Sequence, residues 1–168
     1  MKKIIKMLIM SCLIITCLIP NVAFASVGNN QLQDWEDISL TEEEFNKILS
    51  MNPNNKIEPC ASNLITGSSI SISKSGNSLI IAGITKGSAD VTECGFKKVT
   101  IQRRKNSSSS WSNYKTYENL YNKSDYYRLS KKITVASGYQ YRVTCTHYAK
   151  KNILSTQKID KTSNTITF

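Results

Sequence analysis

The chain is poor in the residues that build metal and redox sites. It holds one histidine, His147, among 168 residues, and none of its cysteines is spaced as C-x-x-C. That excludes a zinc site of the usual Cys/His kind. Asp90 and Glu93 stand three apart without the acid-rich spacing of a calcium loop. Paired carboxylates for glycoside hydrolysis are missing too, because nothing in the sequence brings Asp90, Glu93 and Asp125 together. No cofactor is called for. The apolar run over residues 7–19 is the long one, yet it falls well short of the roughly 20 residues that span a hydrocarbon core. A stable transmembrane anchor is therefore not expected. Acids are scarce: 12 Asp and Glu stand against 22 Lys and Arg.

That apolar run is placed where an export signal would be. Lys2, Lys3 and Lys6 precede it, Pro20 breaks it, and Ala23-Phe24-Ala25 follows as a small-x-small site. Charged start, apolar middle and A-x-A-like end come in the order of a secretory signal peptide, with cleavage expected between Ala25 and Ser26. Lipid attachment is set aside, because Cys12 comes too early in the run and Cys17 is followed by more apolar sequence. The expected location is secreted and extracellular, with retention at the cell wall as one outcome. A Lys-, Asn-, Ile- and Ser-rich composition suits a low-GC Gram-positive bacterium.

Cleavage would leave residues 26–168, enough for one domain with one core. The net charge of +10 would fall to +7 with the loss of the three lysines. Residues 26–60 carry −5 and residues 61–168 carry +12, so an acidic arm precedes a basic body. Three cysteines remain, Cys60, Cys94 and Cys145. Outside the cell, one disulfide and one spare thiol is the simplest arithmetic. A spare Cys60 would make a covalent dimer available.

The arm contains a helix signal. Thr41-Glu42-Glu43-Glu44 matches a capping box, and Phe45, Ile48 and Leu49 recur at helical spacing before Asn52-Pro53 ends the run. From about Gly67 the spacing changes to short β-rich runs, near 68–73, 78–85, 97–105, 111–117, 126–135, 139–148 and 155–161, with 164–168 closing the chain. Alternation is clear in the sixth, where Tyr139, Tyr141, Val143 and Cys145 share a face. About seven strands in about 100 residues favour a mainly β, antiparallel two-sheet sandwich.

Gly138-Tyr139-Gln140-Tyr141-Arg142-Val143, after Ile133-Thr134-Val135, resembles the entry to the F strand of immunoglobulin-like and fibronectin type III-like β-sandwiches. In those, a tyrosine ties the E–F corner to upstream backbone. Val99-Thr100-Ile101-Gln102, Ser110-Trp111 and Thr146-His147 extend the resemblance to small secreted Gram-positive proteins of unknown function. The resemblance covers roughly residues 67–151 and implies fold, not activity. It places 97–105 and 139–148 as antiparallel neighbours C and F. A Cys94–Cys145 disulfide is expected on that basis, with Cys60–Cys94 as the rival, and would add about 2–4 kcal/mol.

Cys145-Thr146-His147 offers a thiol beside a base, but two strand rises apart and without a third member, so a disulfide and a hydrogen-bonded histidine are the expectation. Aromatic rings at Trp111, Tyr114, Tyr117, Tyr121, Tyr126 and Tyr127 can stack on a ligand, but core and sheet packing is the commoner use of such rings. Strict period 2 sends Trp111 and Tyr117 to one face and Tyr114 to the other. Arg103-Arg104-Lys105, Lys131-Lys132, Lys97-Lys98 and Lys150-Lys151 attract anions if they converge, and otherwise protect exposed strands. The sequence reads as a non-enzymatic binding or envelope-associated protein whose candidate residues are Arg103, Arg104, Lys105, Trp111, Tyr117, Lys131 and Lys132. Its expected partner is a cell-wall polyanion, a carbohydrate or another extracellular protein, with nucleic acid a weaker fit. An extracellular hydrolase or toxin with an unrecognised site is the contrasting reading, and a covalent structural dimer a third. The acidic arm is expected to be a solvated spacer, with docking of its helix on the basic body, or a partner-binding surface, as the alternatives.

Overall fold

Thr41 starts the helix as the sequence requires. Its hydroxyl accepts from the Glu44 N–H, and the Glu44 carboxylate accepts from the Thr41 N–H. The helix α1 runs over Glu42–Ser50, and it is the only one among the described residues of this computed structural model, which are 35–55 and 64–168. The expected cleavage point between Ala25 and Ser26, and Cys60, lie outside them. No described helix is long and apolar enough to cross a membrane.

Nine strands complete the described chain: β1 Glu36–Asp37, β2 Ile65–Ser75, β3 Ser78–Gly87, β4 Glu93–Arg104, β5 Ser112–Asn122, β6 Tyr126–Thr134, β7 Gln140–Asn152, β8 Ser155–Thr162 and β9 Ile166–Thr167. They form two antiparallel sheets. The first has the order β1-β6-β3-β2, the second β5-β4-β7-β8, with β9 beside β7. Between them lies a core of Ile70, Ile72, Leu79, Ile81, Phe96, Val99, Ile101, Leu129, Ile133, Tyr141 and Val143. Alternation on each strand supplies it, one inward residue in two. The Tyr141 hydroxyl donates to the Ala136 carbonyl at 3.0 Å, tying the corner between β6 and β7 to the start of β7.

β3 breaks the alternation and shows why. Leu79-Ile80-Ile81-Ala82 is apolar without interruption because both of its faces are covered. Leu79 and Ile81 enter the core, while Ile80 and Ala82 lie under Phe45 and Ile48 of α1.

Contrary to the expected solvated spacer, the described part of the arm, residues 35–55, is a strap that belongs to the same compact unit as the sandwich. At one edge β1 pairs with β6, and Trp35 stacks on Tyr117 of the opposite sheet with ring centroids 3.6 Å apart and planes within 5°. At the other edge the Asn52 amide donates to the Ile70 carbonyl of β2 at 2.8 Å and to the Thr162 carbonyl of β8 at 3.0 Å. Asn55 and Asn164 complete that edge: the Ile70 N–H donates to the Asn55 amide oxygen, and Asn164 exchanges two hydrogen bonds with the backbone of Ile72. Side-chain amides thus satisfy an edge strand that would otherwise offer its backbone to another chain.

The expected Cys94–Cys145 disulfide does not form, and both thiols are free and buried. Register is the reason. β4 and β7 are antiparallel neighbours, but Cys94 stands opposite Ala149 and Cys145 opposite Val99. Four residues separate Cys145 from the partner of Cys94, about 13 Å of strand, beyond the ~7 Å Cα limit for a bridge. The rival Cys60–Cys94 bridge involves Cys60, which lies outside the described residues.

Candidate functional site

The outer face of the second sheet is the broad surface that the strap leaves open, and its polar side chains are set by the same alternation that builds the core. Gln102 and Arg104 of β4 alternate with Ile101, and Gln140 and Arg142 of β7 alternate with Tyr141 and Val143. Register then puts Gln102 opposite Arg142 and Arg104 opposite Gln140, a checkerboard of two arginines and two glutamines. Each glutamine oxygen accepts from its arginine: Arg142 Nε donates to Gln102 at 2.9 Å, Arg104 Nε to Gln140 at 2.7 Å. Gln102 in turn donates to Asn113 at 2.9 Å.

Trp111, just before β5, completes the group. The guanidinium carbons of Arg104 and Arg142 both lie 4.4 Å from its ring centre. Planar cations held on an aromatic face are oriented but not neutralised. No acid pairs with either arginine among the described residues. Burial, and after it the charge of Arg104, pulls the Arg142 guanidinium below its ordinary value.

Further along the same face, Thr116, Thr100, Thr144 and Thr162 form a row across four strands. Beside it, Lys98, Thr146 and Asp160 line a shallow hollow of about 300 Å³. At the far end Tyr121 and Tyr148 close over Gly95, their centroids 5.1 Å apart. Gly95 has φ 154°, and a Cβ there would lie 2.3 Å from the Leu120 carbonyl, so only glycine admits this approach.

The other expected site residues go elsewhere. Arg103 turns to the opposite face and covers Tyr114 and Tyr139 at 4.7 and 4.8 Å. Lys105 is exposed beyond the end of β4. Tyr117 packs against the core and under Trp35, so it is not on the open face. Lys131 and Lys132 lie on the first sheet and pair with Asp37 at 2.7 Å and Glu36 at 3.1 Å. Trp111 and Tyr117 therefore do not share a face, because a register shift between Ile101 and Gln102 interrupts period 2 along β5 and turns Tyr114 inward. Arg142 was legible only as a polar residue in an alternating strand; its position opposite Gln102 needed the register.

Cys145 and His147 do meet. Cys145 Sγ lies 3.4 Å from His147 Nε2, and His147 Nδ1 lies 2.8 Å from the Thr85 hydroxyl, which itself donates to the Gly95 carbonyl. Thr85 thus accepts from Nδ1–H, leaving Nε2 to accept from the thiol. The layout is that of a nucleophile, base and orienter, but it is closed to solvent, with His147 fully buried. Burial raises the Cys145 thiol far above its ordinary value. Burial, and after it the charge of Lys161, lowers His147 to about 3. A reactive cysteine needs a lowered pKa and access, and this one has neither.

Compared with protein-family models, curated proteins and solved structures, the chain matches none.

Proposed function

We propose that this chain is an exported, non-enzymatic binding domain that captures a linear polyanion of the cell envelope on the outer face of its second sheet. The carrying observation is the pair of arginines held 4.4 Å from the Trp111 ring with no acid among the described residues to neutralise them. Guanidiniums present a planar fork that matches phosphate and carboxylate oxygens, and hydrogen bonds to such anions are the strong ones. The glutamine partners occupy the Nε donors and Arg104 Nη1 donates to the Ser107 carbonyl at 3.2 Å, which leaves the remaining terminal N–H groups for a ligand. The flat Trp111 edge suits the sugar or polyol between charges, and the threonine row and Lys98 continue the track. A wall teichoic polymer has that chemistry.

Two further readings belong to the same proposal. The order β2-β3-β6 against β5-β4-β7-β8 is that of strands A-B-E against C′-C-F-G, which with the Tyr141 corner supports a fibronectin type III-like sandwich. Residues 1–25 are read as the cleaved export signal that puts the face in contact with wall polymers.

Retention of the purified protein on poly(glycerol phosphate) is the test. Arg104→Gln with Arg142→Gln is expected to weaken it roughly tenfold to hundredfold, as loss of charge-assisted contacts does, and to flatten its salt dependence. Lys132→Gln, on the other sheet, is expected to leave it unchanged. Salt-insensitive retention, or equal retention by the double variant, would remove the proposal.

A further inference from the structure

Two aliphatic side chains stand almost wholly in solvent at one end of the sandwich. β7 and β8 are joined by a two-residue turn, with Asn152 opposite Ser155. The turn residues are Ile153 and Leu154, 89% and 97% exposed, whereas the other exposed large hydrophobics, Met51 and Tyr126, reach 44%. The hairpin does not require them. Two-residue turns draw glycine, asparagine and aspartate, which accept positive φ or bond their own backbone. Neither Ile153 nor Leu154 has positive φ, and the Leu154 N–H donates to the Asn152 side chain at 3.0 Å. The apolar pair therefore contributes nothing visible to the turn.

Lysines outnumber acids behind it. Lys151 is next to the turn, Lys150 lies on β7 opposite Glu93, and Lys158 lies further down β8 opposite Tyr148. Lys123, in the β5–β6 connection, lies at the same end, because Cys94 stands opposite both Asn122 and Ala149. Lys151 is held by Asp90. Lys123, Lys150 and Lys158 enter no ion pair among the described residues.

We infer that this hairpin tip docks on an anionic lipid surface, with Ile153 and Leu154 entering the boundary between headgroups and acyl chains and the lysines meeting lipid phosphates. Apolar residues at a protruding tip, with cations on the strands behind it, combine the two forces that hold peripheral proteins on membranes. Two side chains are too small a patch for a stable protein interface, which buries on the order of 1,000 Å² or more. A symmetric contact with a second copy would bring like-charged lysines face to face. A bilayer needs no shaped counterpart. β7 has 13 residues, so the tip stands about 40 Å from the Trp111 end at ~3.3 Å per residue, and the two surfaces are separable.

Sedimentation with phosphatidylglycerol-containing vesicles, against pure phosphatidylcholine vesicles, tests this. The protein is expected to prefer the anionic vesicles, and Ile153→Ser with Leu154→Ser to weaken that binding roughly 100-fold. The same variant is expected to keep the wild-type unfolding midpoint, since both positions are exposed, and to keep its retention on poly(glycerol phosphate). Equal vesicle binding by the variant overturns the inference. So does a wild-type protein that ignores vesicles but dimerises through the tip, with dimerisation lost in the variant. Loss of polymer retention by Arg104→Gln/Arg142→Gln with vesicle binding intact keeps the two surfaces distinct.

Discussion

His147 sits against the Phe96 ring, with centroids 4.7 Å apart, bonded on both nitrogens and out of reach of water. Its pKa falls from an ordinary 6.5 to about 3 on folding. Between those values the unfolded chain takes up a proton that the folded chain refuses. Stability from this group is therefore complete above pH 6.5 and declines as pH falls, by about 1.4 kcal/mol per unit. The urea midpoint is expected to drop steadily from pH 6 to pH 4, and His147→Phe to flatten that drop. A wild-type midpoint that does not move over this range would show that the imidazole is not sequestered. At this scale a corner tyrosine was implied only by the resemblance of residues 138–143 to an F-strand entry, and the structure assigns the bond to Tyr141. The contact between Cys145 and His147 was only half legible: alternation put them on one face, but whether that face was wet or dry depended on the other sheet.

The element that matters most beyond the sheets is the strap. Its helix was legible because capping is local, and Thr41 and Glu44 need only each other. Its docking was not, since β1 has two residues and no periodicity to read. Docking rests on contacts with distant residues: Trp35 on Tyr117, Arg128 over Phe45 at 3.8 Å and bonded to the Leu40 carbonyl, and Asn52 bridging β2 and β8. Trp35→Ala removes the ring that closes the edge between β6 and β5, and Lys131 loses the face 5.3 Å below it. A loss of about 2–3 kcal/mol in urea unfolding is expected. An unchanged midpoint would mean that the stack forms without stabilising the sandwich.

Over the whole molecule, charge is divided between a closed and an open face. The acidic arm meets Arg128, Lys131 and Lys132 on the first sheet, which leaves the uncompensated arginines on the second. Exposed ion pairs of this kind are worth little singly, so the strap is held mainly by Phe45 and Ile48 on Ile80 and Ala82. A chain lacking residues 26–55 would expose that apolar patch and the β6 edge together. Self-association of such a chain, read by light scattering, is the expected result; a stable monomer would show that the sandwich needs no cover.

The sequence by itself determined the mainly β fold class, the helix cap and the division into acidic arm and basic body. Each of these depends on neighbours a few residues apart, or on alternation along one strand. Tertiary structure alone decided the rest: the Cys94–Cys145 separation, the burial of Tyr117, the use of Lys131 and Lys132 by the arm, and the meeting of Arg104 with Arg142 on Trp111. Those outcomes turn on register between strands far apart in the chain, where a shift of a few residues moves a side chain more than 10 Å or sends it to the other face.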